Sequence, residues 1–171
     1  MCASALMKTL LILRHAKSSW DDPGQDDHER PLNARGRRAA PRMGLLLKEE
    51  GLVPDRIMSS TAVRAKHTAI AVGEACEFGG DVELNPALYL AGPRQYIEAA
   101  AAGGDGDTVL LVGHNPGMEE LLLKLTGRHE TFPTAGLACV ELPIDSWKKL
   151  NGKTHGTLRA FWRPKELEQG T

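Results

Sequence analysis

Arg14 and His15 follow directly on the apolar run Thr9-Leu10-Leu11-Ile12-Leu13, and His114 closely follows a second such run, Thr108 to Val112. Arg64 lies a few residues beyond a third short segment, Arg56 to Ser59, where a following helix would begin. Arginine supplies planar paired donors that match phosphate oxygens, and neutral imidazole is a nucleophile. A helix N-terminus also favours anions. Two arginines and two histidines brought to one place therefore read as phosphoryl transfer, with cationic groups stabilising charge on the moving phosphoryl group. A pair of opposite charges about 4 Å apart is worth about 4 kcal/mol at an effective dielectric near 20, so a few local cations suffice to hold a dianion. Nearby arginine charge lowers a histidine pKa, which keeps His15 neutral at pH 7.

The elements that would bring these residues together follow from hydrophobic patterning. Thr9–Leu13 and Thr108–Val112 are continuous apolar runs, the pattern of strands buried on both faces of a parallel sheet. Lys17 to Arg30 is polar, with Pro23 and Gly24 in its middle, and reads as a long surface loop. Asn33 can cap a helix to about Glu50, with Ala39, Met43, Leu46 and Leu47 on one stripe and Gly51 ending it. Pro41 predicts a kink, or a helix that begins only near Pro41. Arg56–Ser59 reads as a strand, and Ser60 or Thr61 as the cap of a helix from Ala62 to about Cys76. Asp81–Leu84 suggests an edge strand, Arg94–Ala102 a helix stopped by Gly103 and Gly104, and Met118–Leu125 a helix ending at Gly127. Ala138–Leu142 and Thr157–Trp162 supply the last strands, with Trp147, Phe161 and Trp162 covering them. Strands alternating with helices imply a single three-layer α/β/α domain with a mostly parallel central sheet, spanning residues 8–164. Residues 1–7 read as an extension or the start of the first strand, since Met7 followed by Lys8 makes a natural alternative start, and residues 165–171 read as a tail. Ligands of such sheets bind beyond the carboxyl ends of strands, where Arg14, His15, Ser59, Ser60, Gly113 and His114 fall.

Composition bounds the rest. The 171 residues carry 21 Lys plus Arg against 22 Asp plus Glu, a net charge of -1 that leaves no general field for nucleic acid. Cys2, Cys76 and Cys139 form no C-x-x-C pair and no zinc-ligand spacing, which fits a reduced cytoplasm. Lys8 and Arg14 break the N-terminal apolar runs, and no stretch approaches the roughly 20 apolar residues of a membrane span. His28, His67, His129 and His155 have no partner at ligand spacing and read as surface or helix-face side chains. Arg35, Arg37, Arg38 and Arg42 make a basic helix start, a solvated face by default but one that would attract an acidic partner.

Leu13-Arg14-His15-Ala16-Lys17-Ser18-Ser19-Trp20 resembles the nucleophile motif of the histidine phosphatase superfamily, which also contains cofactor-dependent phosphoglycerate mutase, in its small SixA-type phosphohistidine phosphatases. Asp27 to Gly36, Ser59 to Thr68 and Val112 to Gly117 are similar to the segment entering the first helix, the second-arginine motif and the second-histidine motif. The resemblance runs from Lys8 to about Pro164. It implies a phosphoglycerate mutase-like fold and a nucleophilic His15 that becomes transiently phosphorylated. Arg14, Arg64 and His114 would clamp the phosphoryl oxygens, and water would then hydrolyse the phosphoenzyme. It implies no metal and no cofactor, and the sequence has no H-E-x-x-H, P-loop or acidic metal triad.

The departure lies in the proton donor. Larger members carry a Leu-x-Glu segment whose Glu protonates the leaving oxygen, where this chain has Pro86-Ala87-Leu88-Tyr89-Leu90. An alkoxide leaving group needs general-acid help worth about 10²–10⁴-fold, whereas a protonated phosphoimidazole leaves as neutral imidazole. The expectation is therefore a metal-independent phosphatase acting on phosphohistidine of a protein. The alternatives are a small-molecule phosphomonoesterase on the same residues and a noncatalytic phospholigand-binding module. Glu83, Asp21, Asp22 and Asp27 read as solvated loop charges rather than substitute acids. Lys17, Ser18 and Asn115 are candidates to line a pocket left open by the absence of the large insertions that cover the substrate in mutases. The expected partner is a phosphorylated protein or small phosphorylated molecule, with no nucleic acid and no membrane.

Overall fold

Leu10 to Leu13 are buried on both sides in a computed structural model that describes residues 6–102 and 104–168. The strand β1 (Lys8–Arg14) sends Leu10 and Ile12 into one apolar cluster and Leu11 and Leu13 into another. At about 1.5–3 kcal/mol for each fully buried Leu or Ile, this one strand anchors both layers. Helices α1 (Ala34–Glu49) and α2 (Val63–Ala75) cover the Leu11 face. Helices α3 (Pro93–Ala101) and α4 (Gly117–Thr126) cover the Leu10 face. The remaining strands are β2 (Arg56–Ser59), β3 (Glu83–Leu84), β4 (Thr108–Gly113), β5 (Leu137–Leu142) and β6 (Thr157–Trp162). The six-stranded sheet has the order β3-β2-β4-β1-β5-β6, with β3, β2, β4 and β1 parallel and β5 antiparallel to both β1 and β6. The expected three-layer, mostly parallel architecture is the one observed.

The parallel strands end in register, and this positions the site. Arg14 pairs with Gly113 across β1 and β4, and Ser59 pairs with Val112 across β2 and β4. Beyond them, His15 N–H donates to Gly113 O at 3.0 Å and Ser60 N–H donates to Val112 O at 3.1 Å, so the loops after three strands are stitched side by side. Gly113 is required by close approach: a Cβ there would collide with the Tyr96 hydroxyl, which accepts the His114 N–H at 3.1 Å. Gly36 packs on the nucleophile loop in the same way, where a Cβ would strike the Lys17 carbonyl.

Two local expectations are corrected. Helix α1 does not begin only near Pro41. Asn33 accepts the Gly36 N–H at 2.9 Å, fixing the start at Ala34, and the helix runs unbroken through Pro41. The lost bond and ring clash, about 3 kcal/mol or more in a helix interior, are outweighed by the buried stripe of Ala40, Met43, Leu46 and Leu47. Neither Ser60 nor Thr61 caps α2: Ala62 occupies that position without a side-chain cap. Ser60 Oγ instead meets His114 Nε2 at 2.8 Å, and Thr61 Oγ1 meets His28 Nε2 at 2.8 Å. The edge strand shrinks to Glu83–Leu84, and Gly127 ends α4 with a φ of 71° as expected of a left-handed stop. Gly103 and Met1–Ala5, which include Cys2 and most of the expected extension, lie outside the described residues. Pro164–Glu168 form a short helix, α5, whose Leu167 packs against the Leu11 cluster. Trp147 is buried and Phe161 and Trp162 pack on the core, as their covering role required.

Candidate active site

A cavity of about 210 Å³ opens at the joined strand ends. Arg14, His15, Lys17, Ser18, Arg64, His114 and Asn115 all line it, together with Trp20, Arg30, Leu90 and Thr134. His15, Arg64 and His114 are almost wholly buried, at 7%, 3% and 2% exposure. The histidine rings lie 5.2 Å apart between centroids.

Neighbours of fixed polarity set the two tautomers. His15 Nδ1 lies 2.8 Å from the Ala16 carbonyl oxygen, which can only accept, so Nδ1 carries the proton. That leaves the Nε2 lone pair facing Arg64 Nε at 3.4 Å. His114 Nδ1 is 3.5 Å from Arg64 Nη2, which can only donate, so the His114 proton sits on Nε2 and is donated to Ser60 Oγ. Burial, the Ala16 contact notwithstanding, pushes His15 down to about 3, with His114, Arg64 and Arg14 adding to the effect. Burial followed by the Arg64 charge lowers His114 to about 4. Both rings are neutral at pH 7.

Arg64 is the hub. Its Nη1 donates to Asp27 O at 2.6 Å, and its Nη2 donates to Asp27 Oδ2 at 2.9 Å. Thr68 Oγ1 donates to the Arg64 carbonyl at 2.7 Å and accepts the Ala16 N–H at 3.0 Å, tying α2 to the nucleophile loop. Arg14 Nη1 donates to Phe132 O at 2.9 Å, while its Nε is buried with no hydrogen-bond partner among the described residues. A buried donor in that state costs about 1–3 kcal/mol until an acceptor reaches it. Asn115 Nδ2 donates to Glu119 Oε1 and Phe132 O, which fixes its side chain at the cavity wall. Ser18 accepts from Arg30 Nη1 at 2.8 Å, and the Lys17 side chain is exposed at the rim. A cradle of buried guanidinium donors around one available imidazole nitrogen is suited to a tetrahedral oxyanion.

Asp27 is not the solvated loop charge the sequence suggested. The 3-10 turn Asp27–Glu29 folds against the start of α2, and the carboxylate receives Arg64, Arg30 at 3.1 Å and the Tyr89 hydroxyl at 2.6 Å. Burial opposes ionisation, but the bonds from Tyr89 and Arg64 prevail and hold Asp27 well below the usual carboxylate range. It therefore braces Arg64 and carries no proton to give at neutral pH. His28 is likewise no isolated surface histidine: it bonds Thr61 and meets the Tyr89 ring edge-on at 4.9 Å. Arg30 stacks over Trp20 at 3.5 Å. Sequence reasoning missed Asp27, Arg30 and Tyr89 as site residues. The Asp27–Arg30 spacing of three was a usable signal, whereas the Tyr89 contact joins distant loops. Of the other acids, Glu83 is held by Arg56 at 2.9 Å, away from the cavity. Leu90, in the stretch without a carboxylate, lines the cavity at 61% exposure. Among the described residues, no group of three or more His, Cys, Asp or Glu is placed to hold a metal ion, and no helix is long and apolar enough to cross a membrane.

Comparison with known proteins agrees with this geometry. The family model for the histidine phosphatase superfamily (branch 1) matches residues 10–89. An uncharacterized chloroplastic protein of Arabidopsis thaliana is 30% identical over 159 residues, covering 86% of this chain and 72% of that protein. The crystal structure of a candidate phosphohistidine phosphatase SixA from Agrobacterium tumefaciens is 32% identical, with a TM-score of 0.79 over 92% of this chain and 98% of that one. The protein histidine phosphatase SixA complexed with tungstate is 25% identical, with a TM-score of 0.77 over 93% and 99% of the two chains.

Proposed function

Because the chain belongs to the histidine phosphatase superfamily, we propose that it is a phosphatase that removes the phosphoryl group from phosphohistidine on a protein, by way of a phosphorylated His15. Family membership and the structural neighbours support phosphatase activity. The finer reading rests on one observation: the cavity is lined by cations and imidazoles with no carboxylate among them, and the adjoining Asp27 is held ionised. The tungstate bound by the SixA relative is a tetrahedral oxyanion, which suits the same cradle.

The chemistry balances without an added acid. His15 Nε2 attacks phosphorus while its proton stays on Nδ1, hydrogen-bonded to the Ala16 carbonyl, and the P–N bond to the substrate imidazolium breaks. The substrate leaves as neutral imidazole, and His15 becomes a phosphorylated imidazolium. Water then attacks phosphorus, the P–N bond to Nε2 breaks, and its electron pair returns to the ring. Both water protons end on the released dihydrogen phosphate. Arg14 and Arg64 stabilise the charge on the equatorial oxygens in each step, with His114 holding Arg64 in place. An alkyl ester entering the same path would have to expel an alkoxide with no proton supplied. The two free buried thiols, Cys76 and Cys139, suit a reducing compartment such as the cytoplasm.

The test is phosphate release at neutral pH from a phosphohistidine protein and an alkyl phosphate ester, side by side, with wild type and His15→Ala. The proposal expects fast His15-dependent release from phosphohistidine and slow ester hydrolysis. Equal or preferred ester hydrolysis would move the assignment to a small-molecule phosphomonoesterase, and binding without release from either would make it a phospholigand-binding module.

A further inference from the structure

We infer that a second groove, beside the catalytic cavity, binds an acidic peptide segment of the phosphorylated protein; the inference rests on the phosphoprotein reading above. The groove has a volume of about 320 Å³ and shares Lys17 and Thr134 with the catalytic cavity, so a chain leaving one crosses a single wall into the other. Its size lies at the low end of the roughly 300–1,000 Å³ of ligand pockets. Arg35 and Ala39 of α1 form one side, Pro133 and Thr134 the floor, and α5 with the preceding Arg163 the other side.

The charges in the groove are of two kinds. Arg163 is spent internally, bonded to Glu130 at 3.0 Å, near Glu166 at 3.7 Å and stacked on Phe161. Glu168 is partnered as well. Lys17, Arg35 and Lys165 make no ion pair among the described residues, and all three are exposed. Lys17, Arg35 and Lys165 come from three separate segments, and the groove they line also carries the apolar Ala39, Pro133 and Pro164. Such a lining matches negative charges distributed along a chain whose backbone and methylenes rest on the apolar residues. Exposed cations of this kind contribute modestly one by one, and act together through selection of partner and rate of encounter. Arg35, at the basic start of α1, thereby gains a use that the chemistry in the cavity does not give it.

The test uses the full chain and two phosphohistidine peptides, one with glutamates flanking the phosphorylated residue and one with glutamines. Each is also made without the phosphoryl group and with a fluorescent label for anisotropy. The variant is Arg35→Glu with Lys165→Glu; both side chains are exposed, and Arg35 lies in the first turn of α1, where an acidic residue suits the helix dipole, so folding is preserved. The inference expects the glutamate peptide to bind wild type about tenfold more tightly than the glutamine peptide at low salt, with the preference lost in the variant. Hydrolysis of phosphoramidate, too small to reach the groove, stays within about twofold of wild type in the variant. Equal binding of the two peptides, a preference that survives in the variant, or tighter binding of single-stranded DNA than of the glutamate peptide would overturn it. Failure of the catalytic reading looks different: peptide discrimination by anisotropy persists while no phosphohistidine substrate is turned over.

Discussion

The ends of β1 and β4 are near twins, two buried apolar strands paired in register and each followed by a histidine, yet their rings are set to opposite tasks. After β1, the ring nitrogen nearest the backbone donates its N–H to a carbonyl and the far nitrogen keeps a lone pair beside Arg64. After β4, the far nitrogen donates its N–H to Ser60, and the near one turns its lone pair to Arg64. Residue type and strand position are alike in the two places. The difference comes from the acceptor each ring is offered, a backbone carbonyl in one case and a hydroxyl from a neighbouring loop in the other. In the proposed reaction His15 is thereby left as the nucleophile, and His114, its one N–H held by Ser60, as an acceptor that fixes Arg64 from the other side.

That contrast breaks most visibly on removal of either ring. His15→Ala should lower phosphohistidine turnover by about 10⁴-fold or more with the circular dichroism unchanged, because no other group can carry the phosphoryl. Arg64→Ala, which strips both histidines of their shared partner, should cost about 10²–10³-fold in kcat/KM. His114→Ala should fall near the lower end of that range and still form the phosphoenzyme; loss as large as for His15→Ala would make the two rings equivalent. Leu90→Glu should raise alkyl ester hydrolysis by about 10–10²-fold while leaving phosphohistidine hydrolysis within a few-fold, since it adds an acid only the ester needs.

The smallest effects concern protons. NMR titration of the free protein should find both rings neutral from pH 8 down to pH 5, with midpoints shifted toward the values near 3 and 4 that burial imposes. Because the unfolded chain takes up these protons near the ordinary histidine value of 6.5 and the folded chain does not, stability falls as pH drops from about 6.5 toward 4. A midpoint near 6.5 for either ring, or a melting temperature that rises over that interval, would contradict the electrostatic account.

Much of this arrangement was legible in the sequence because it rests on local signals. Two uninterrupted apolar runs can only be strands buried on both faces, and their polar ends fall at the carboxyl edge where such sheets bind ligands. Arg14, His15 and His114 were singled out that way, and Arg64 from its place at the start of the helix after a third, shorter strand. The rest depends on contacts between residues distant in the chain. The Asp27 brace needs Tyr89, 62 residues away, and Arg64, 37 away, and no periodicity announces either. Ser60 and Thr61 misled for a related reason: a hydroxyl before a helix is a good cap until an imidazole from elsewhere in the chain makes a stronger claim on it. Pro41 misled as a sign of a late helix start because a local penalty was weighed without the apolar stripe that overrides it.

The central claim is that His15, and not His114, carries the phosphoryl group. The most direct measurement is mass spectrometry of the protein quenched at high pH within milliseconds of mixing with a phosphohistidine protein. The account predicts an acid-labile, base-stable phosphoryl group on the peptide containing His15, absent in His15→Ala and present in His114→Ala. Turnover with the label on His114, or with no phosphoenzyme in any sample, would contradict it.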